Sequence, residues 1–205
     1  TGSTELQNPT TVYNGVDYKL VYDYNYYINK YPDIKAAFNG DENATLRHFV
    51  ECGMNEGRQG KASFNVAAYR ANYADLRSAF GRNLKAYYMH YIGSGYREGR
   101  KATGNGVLKN PVTVYNGVDY SLVYDYNYYI SKYSDLKAAF YGDDTAALRH
   151  FVECGMNEGR QAKDSFNVKK YKNRYNDLQN AFGNDLKSYY MHYIGSGYKE
   201  GRKGN

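Results

Sequence analysis

The chain of 205 residues has no tryptophan, only two cysteines and only three prolines. With so few cysteines beside abundant Asn and Tyr, it reads as a surface protein that folds without disulfides. No apolar run approaches the roughly 18–20 residues that a membrane-spanning helix needs. The first ten residues, TGSTELQNPT, carry neither a basic n-region nor an apolar h-region, so they do not read as a signal peptide. Residues 1–9 read instead as a linker or a cloning remnant.

Tyrosine is what the chain has in excess: 27 Tyr against 8 Phe. A tyrosine ring can fill a core while its hydroxyl reaches water or a polar partner. The net charge of +6 is also unevenly spread. Residues 64–103 hold seven basic and two acidic groups, and 166–205 hold eight and three, so each segment stands at +5. Such segments attract anionic partners without specifying one.

The chain repeats at two scales. A shift of 102 residues aligns 12–103 with 114–205, and 68 of these 92 positions are identical. Identity this high cannot separate functional residues from inherited ones. A shift of 42 residues is sparser and more informative. Ten positions agree in all four half-repeats: in the first they are Tyr27, Tyr31, Asp33, Ala37, Phe38, His48, Gly53, Glu56, Gly57 and Arg58. All four histidines, His48, His90, His150 and His192, occupy the same position.

A period near 42 lies in the range of helical repeats. Tyr24, Tyr27, Ile28 and Tyr31 form an i, i+3, i+4, i+7 stripe that predicts a helix, with Asp23 to cap its start. Pro32 opens a second helix at its first turn, faced by Ile34, Ala37 and Phe38. NGDEN is a loop, and Leu46, Phe49 and Val50 mark a third helix that Gly53 is placed to end in a left-handed cap. Each unit opens with TVYNGVDY, where Asn-Gly between β-favouring residues predicts a hairpin. The expected fold is therefore mostly all-α: two 102-residue units, each a short β-hairpin followed by two three-helix half-repeats. Unit 1 spans 10–102, with half-repeats near 22–59 and 64–101. A Gly/Asn-rich linker covers 103–110, and unit 2 spans 111–205, with half-repeats near 124–161 and 166–203. A lone half-repeat buries too little to be stable, so the halves of a unit should pack together.

His48 and Cys52 lie four residues apart on one helical face, which raises the question of a nucleophile pair or a metal site. The 42-residue shift answers it, because Ser94 and Ser196 stand where Cys52 and Cys154 stand. Histidine persists where cysteine does not, and one Cys with one His is two ligands short of a usual zinc site. Cys52 and Cys154 are expected as partly buried small hydrophobes. His48 and its counterparts are expected at a packing seam, hydrogen-bonded. Arg58, Arg100, Arg160 and Arg202 are expected to pair with Glu56 or Asp33 and their equivalents, and Gly53 and Gly57 to need positive φ. No enzyme, metal or cofactor is expected.

The segments VYNGVDYSLVYDYNYYISKYSDLKAAF, ALRHFVECGMNEGRQ, FNVKKYKNRYNDLQNAFG and LKSYYMHYIGSGYKEGRK resemble the tandem repeats of secreted, cell-wall-associated proteins of Gram-positive clostridia. Those repeats often sit beside lysozyme-type, amidase or peptidase domains, and the shared signatures are YY-x3-Y-x-D and G-x2-EGR. The resemblance covers nearly the whole chain. It implies a secreted or cell-wall location and a non-catalytic appended module, without naming a ligand.

Two readings follow. In the first, the chain is a glycan- or peptidoglycan-binding module that anchors a larger secreted protein to the bacterial surface, duplicated for avidity. Its contacts would be tyrosines off the core stripes: Tyr13, Tyr18, Tyr26, Tyr87 and Tyr96, with Tyr115, Tyr120, Tyr128, Tyr189 and Tyr198. In the alternative, it is a protein-interaction (adhesin) or spacer module of a surface protein, with a surface or host protein as partner, using the extended surface of a helical repeat. No recognisable nucleic-acid motif accompanies the positive charge.

Overall fold

The computed structural model describes residues 5–38 and 40–205. Residues 1–4 of the N-terminal segment, and Asn39 of the NGDEN loop, lie outside the described residues. The chain divides into two compact units, 1–109 and 110–205. Each is mostly helical and opens with a hairpin, as the sequence predicts.

In unit 1, β1 (Val12–Tyr13) pairs antiparallel with β2 (Val16–Asp17), Tyr13 facing Val16. Asn14 and Gly15 turn the corner with φ of 47° and 79°, the two positive values that a tight primed turn demands. Next come α1 (Tyr24–Lys30), α2 (Pro32–Phe38) and α3 (Glu42–His48). Asp23 accepts from Tyr26 N and Asp41 from Ala44 N, so each of α1 and α3 starts on an Asp cap. The second half-repeat follows the same plan with α5 (Val66–Asn72), α6 (Ala74–Phe80) and α7 (Leu84–His90), capped by Asn65 and Asn83; the short α4 is Met54–Glu56. Unit 2 repeats the scheme with β3 (Val114–Tyr115), β4 (Val118–Asp119), α8 (Tyr126–Lys132), α9 (Ser134–Phe140) and α10 (Asp144–His150). Its second half-repeat holds α11 (Val168–Arg174), α12 (Asn176–Phe182) and α13 (Leu186–His192).

The third helix of each half-repeat does not stop where the sequence suggested. After His48 it widens into a π-helical turn, Phe49–Gly53, and continues through α4. Gly53 is right-handed at φ −57°, so the expected left-handed cap there is corrected. Gly57, at φ 75°, ends the helix instead. Arg58 N donates to Gly53 O at 2.8 Å and Gly57 N to Met54 O at 3.3 Å, the paired bonds of a Schellman motif. The same π turns occur at Tyr91–Gly95, Phe151–Gly155 and Tyr193–Gly197.

Gly53 is glycine for a different reason. A Cβ there would lie 2.6 Å from the Tyr27 hydroxyl, and at Gly95, Gly155 and Gly197 the equivalent distances to Tyr69, Tyr129 and Tyr171 are 2.1, 2.5 and 2.2 Å. Each of these tyrosines needs the space to meet its histidine.

Tyrosine carries the core. Tyr22, Tyr24, Tyr27, Tyr69, Tyr87 and Tyr88 of unit 1 are fully buried. Tyr88 stitches the halves together, with its ring 5.8 Å from Phe49 and 5.0 Å from Phe64 and its hydroxyl donating to Arg58 O at 2.9 Å. Tyr190 does the same in unit 2 through Phe151, Phe166 and Arg160 O. Asp23 N donates to Gly60 O and Asn65 N to Ala102 O, pinning the start of each half-repeat to its end. The expected linker 103–110 is also not a free tether over its length. Ala102 and Leu108 are buried, Lys109 N donates to Ala71 O at 2.9 Å, and Arg77 Nη2 donates to Lys109 O at 2.7 Å.

Candidate functional site: exposed tyrosines on a closed motif

The ten positions shared by all half-repeats build a self-contained seam. Tyr27 and His48 are joined at 3.3 Å between the hydroxyl and Nδ1, and the counterparts Tyr69–His90, Tyr129–His150 and Tyr171–His192 at 2.9, 3.1 and 2.9 Å. Burial pushes each of these phenols well above its ordinary pKa, so the hydroxyl stays protonated and shares a hydrogen bond with Nδ1. Phe38 covers the histidine from the side, with centroids 5.6 Å apart. The Tyr31 hydroxyl accepts from Gln59 N at 2.8 Å, and Arg58 lies over the Tyr31 ring at 5.0 Å. Arg58 also bridges Asp33 at 2.7 Å and Glu56 at 2.5 Å. Arg100, Arg160 and Arg202 repeat the bridge with Asp75, Asp135 and Asp177 and with Glu98, Glu158 and Glu200. The His Nδ1 and the Arg guanidinium of the motif are therefore each held by a partner within the same half-repeat.

Ser94 Oγ stands 3.3 Å from His90 Nε2, as Ser196 does from His192. This dyad spans one helical turn, and the far nitrogen meets a tyrosine rather than a carboxylate. It forms a hydrogen-bond relay without the orienting acid of a nucleophilic triad. Cys52 and Cys154, at the same position in the other half-repeats, are exposed free thiols. The expectation of partial burial is corrected, although Ser94 and Ser196 at the same position of their π turns are half-buried. Among the described residues no three of His, Cys, Asp and Glu gather as metal ligands.

The ten sequence-selected tyrosines separate by burial. Tyr18 and Tyr120 are 4% exposed, and Tyr87 and Tyr189 are 0%. These four lie in the core and offer no ring face to a ligand. Leu84, Tyr87, Tyr88 and Tyr91 make a helical stripe of their own, and Tyr18 plugs the base of the hairpin. Tyr13 and Tyr115 are half-buried and donate to Glu51 and Glu153 at 2.5 and 2.6 Å, fastening each hairpin to its π turn. The carboxylate partner raises both phenol pKa values. Tyr26 and Tyr128 are half-buried, each with a lysine from the next turn, Lys30 or Lys132, on its hydroxyl at 2.9 Å. Tyr26 lines an open cleft of about 520 Å³ with Glu5, Asn25, Asn29 and Lys30.

Tyr96 and Tyr198 stand out, at 57% and 56% exposed. Each follows a π turn and touches the core through one T-shaped contact, Tyr91–Tyr96 or Tyr193–Tyr198, at 5.9 Å. Arg97 lies beside Tyr96, with its guanidinium on Gly93 O, and Lys199 follows Tyr198. Both tyrosines belong to the basic half of their unit. Sequence reasoning missed their setting: each tyrosine stands three residues from a glycine on either side, and a Cβ on Gly93, Gly99, Gly195 or Gly201 would meet nothing within 4 Å. The signal was present at the 42-residue shift, where Glu51 and Met54 of the first half-repeat become Gly93 and Tyr96. Compared with protein-family models, with curated proteins and with solved structures, the chain matches none of them.

Proposed function

We propose that the chain is a non-catalytic, glycan-binding repeat module that attaches a larger secreted protein to a bacterial cell-wall polymer. One observation carries the reading. The core takes up most of the tyrosine excess, yet the same tyrosine of each unit, Tyr96 or Tyr198, is left more than half exposed between glycines and beside a cation. An amphipathic ring of this kind stacks on a sugar face while neighbouring polar groups meet hydroxyls. The local positive charge suits an anionic wall polymer, and two copies raise avidity wherever one polymer reaches both. The resemblance to clostridial wall-associated repeats points the same way.

The test is co-sedimentation with purified Gram-positive cell walls. The wild-type chain is expected in the pellet, and a Tyr96→Ala/Tyr198→Ala variant largely in the supernatant. Wild-type protein that stays in the supernatant even at low salt would overturn the reading.

A protein-interaction role is the second reading. In its favour, the face that bears Tyr96 is the counterpart of the face with which the first half-repeat holds α7. Micromolar binding to a secreted or host protein, with wall fractions silent, would establish it.

A further inference from the structure

Each unit shows the same surface twice, once covered and once open. In the first half-repeat, Val50 and Met54 are 4% and 0% exposed, and a Cβ on Gly57 would meet Leu84 Cδ1 at 3.1 Å. The second half-repeat covers this surface with α7 and donates to two backbone oxygens along it. Lys85 Nζ reaches Val50 O at 2.8 Å and the Tyr88 hydroxyl reaches Arg58 O at 2.9 Å. Unit 2 repeats the pattern with Lys187 on Val152 O at 3.0 Å, Tyr190 on Arg160 O at 2.9 Å, and Met156 at 0% exposed.

One half-repeat later the surface is open. Ile92, Tyr96 and Gly99 replace Val50, Met54 and Gly57. Tyr96 is 57% exposed, and nothing approaches a Cβ on Gly99 within 4 Å. Among the described residues no side chain donates to Ile92 O or Arg100 O, or to Ile194 O or Arg202 O in unit 2. A scaffold whose covered copy binds an apolar group and two hydrogen-bond donors thus presents, in its open copy, an aromatic ring and two backbone acceptors. The Met-to-Tyr exchange suits a surface in contact with water, since a phenol hydroxyl hydrogen-bonds to solvent and a thioether is only a weak acceptor. The Glu-to-Gly exchange at residue 93 removes the side chain that in the first half-repeat holds the hairpin.

We propose that the Ile92–Arg100 surface, with its equivalent Ile194–Arg202, is a subsite for one neutral pyranose ring, which stacks on Tyr96 and donates hydroxyls to Ile92 O and Arg100 O. This rests on the glycan reading above and names the chemistry it requires: hydroxyl donors around an apolar ring face, with no charge needed on the sugar. Carbonyl oxygens accept and cannot donate, so a phosphate placed there would find no partner among them. The basic residues nearby serve encounter with a charged polymer rather than the subsite itself.

The experiment exchanges each open surface for its covered counterpart. Tyr96→Met/Tyr198→Met restores the residue of Met54 and Met156, and Gly93→Glu/Gly195→Glu restores Glu51 and Glu153 at positions where an added Cβ meets nothing within 4 Å. Both variants are expected to fold, as judged by circular dichroism and urea midpoint. Binding to a neutral chitotriose probe is measured by calorimetry at low and high salt, beside wall sedimentation. Wild-type binding that survives high salt and weakens by about tenfold or more in the Tyr→Met variant supports the subsite, with the Gly→Glu variant expected to weaken it as well.

Wild-type protein that sediments with walls, ignores the neutral oligosaccharide and loses its wall binding in salt overturns the subsite while leaving wall attachment intact. Wild-type protein that binds the oligosaccharide but not walls supports the subsite and overturns wall attachment. Self-association of the wild-type chain that Tyr96→Met/Tyr198→Met abolishes would assign the surface to a second copy and overturn the proposal.

Discussion

The glycine of the π turn gives the sharpest test of how the repeated motif works. In Gly95→Ala the new methyl would sit 2.1 Å from the Tyr69 hydroxyl and 3.1 Å from His90 Nδ1. Neither neighbour is the loose end of a flexible chain, because Tyr69 is fully buried and the two are bonded to each other at 2.9 Å. Overpacking of this kind costs about 1–3 kcal/mol, and pulling the hydroxyl off its partner adds roughly 1–3 kcal/mol. Alanine returns about 0.5–1 kcal/mol through its better helical propensity. The net loss should be ~2–4 kcal/mol, or a fall in Tm of roughly 10 °C or more for a unit of this size.

Gly93→Ala, two residues earlier in the same turn, places its methyl in open space and should be neutral or slightly stabilising. Urea unfolding followed by tyrosine fluorescence suits a chain without tryptophan. The double-mutant cycle with Tyr69→Phe then isolates the contact: removing the hydroxyl should recover part of the Gly95→Ala loss, giving a coupling above about 0.5 kcal/mol. Equal stability of the two Gly→Ala variants, or a loss unchanged in the Tyr69→Phe background, would refute the close-approach explanation.

Other outcomes follow from the same structure. The Tyr22 and Tyr124 hydroxyls are buried with no hydrogen-bond partner among the described residues, so Tyr22→Phe and Tyr124→Phe should leave the urea midpoint unchanged or raise it, by up to about 1 kcal/mol; a loss larger than that would show that the hydroxyls are satisfied. Arg58 holds Asp33 well below the usual carboxylate range, and Asp135 and Asp177 are held down in the same way by their own arginines; Asp75 is lowered too, although its partial desolvation works against the shift. A depressed folded-state pKa contributes stability above the unfolded value, about 3.9, that is lost as pH falls through the folded values. Thermal midpoints should therefore drop steeply only below about pH 4, and a quadruple Asp→Asn variant should flatten that limb. At the alkaline end the sign reverses. Burial raises the phenols of Tyr22, Tyr88, Tyr124 and Tyr190, and the Glu51 and Glu153 carboxylates raise Tyr13 and Tyr115. Stability should hold below about pH 10 and fall above it, with tyrosinate absorbance and loss of helical dichroism rising together.

What the sequence revealed depends on how local each signal is. The hairpin needed only Asn14-Gly15, the α1 cap only Asp23, and the α2 start only Pro32. Each is decided by atoms within a few residues, and each stands where the residues placed it. Gly53 was misread because two physical demands lead to the same residue. Positive φ and the close approach of a distant ring both select glycine, and only the position of Tyr27, 26 residues earlier, tells them apart. Tyrosine burial was legible only in part for a related reason. Tyr87 and Tyr96 are equally aromatic, and what separates them is tertiary packing: Phe80 and the Gly81 carbonyl close over Tyr87, whereas Tyr96 meets only the edge of Tyr91.

The same contrast bears on function. Where the four half-repeats agree, the polar side chains bond within the half-repeat: Tyr27 to His48, Tyr31 to Gln59, Arg58 to Asp33. Invariance across them therefore measures what a half-repeat needs to close on itself. Any recognition has to be sought where first and second half-repeats differ systematically and identically in both units. Met54 and Met156 against Tyr96 and Tyr198, Glu51 and Glu153 against Gly93 and Gly195, and Cys52 and Cys154 against Ser94 and Ser196 fit that description, and all fall within one turn of helix. The first exchange trades a buried thioether for an exposed phenol, and the second trades a hairpin anchor for bare backbone. The third gives the histidine a hydroxyl in place of a thiol that stays in solvent. A merely solvated end would be served by any polar residue at residue 96. A ring 57% exposed, set against the edge of Tyr91 between two glycines where an added Cβ meets nothing within 4 Å, is more than solvation requires, which is why the Tyr96→Met exchange, neutral for folding and damaging for binding, separates a cap from a site.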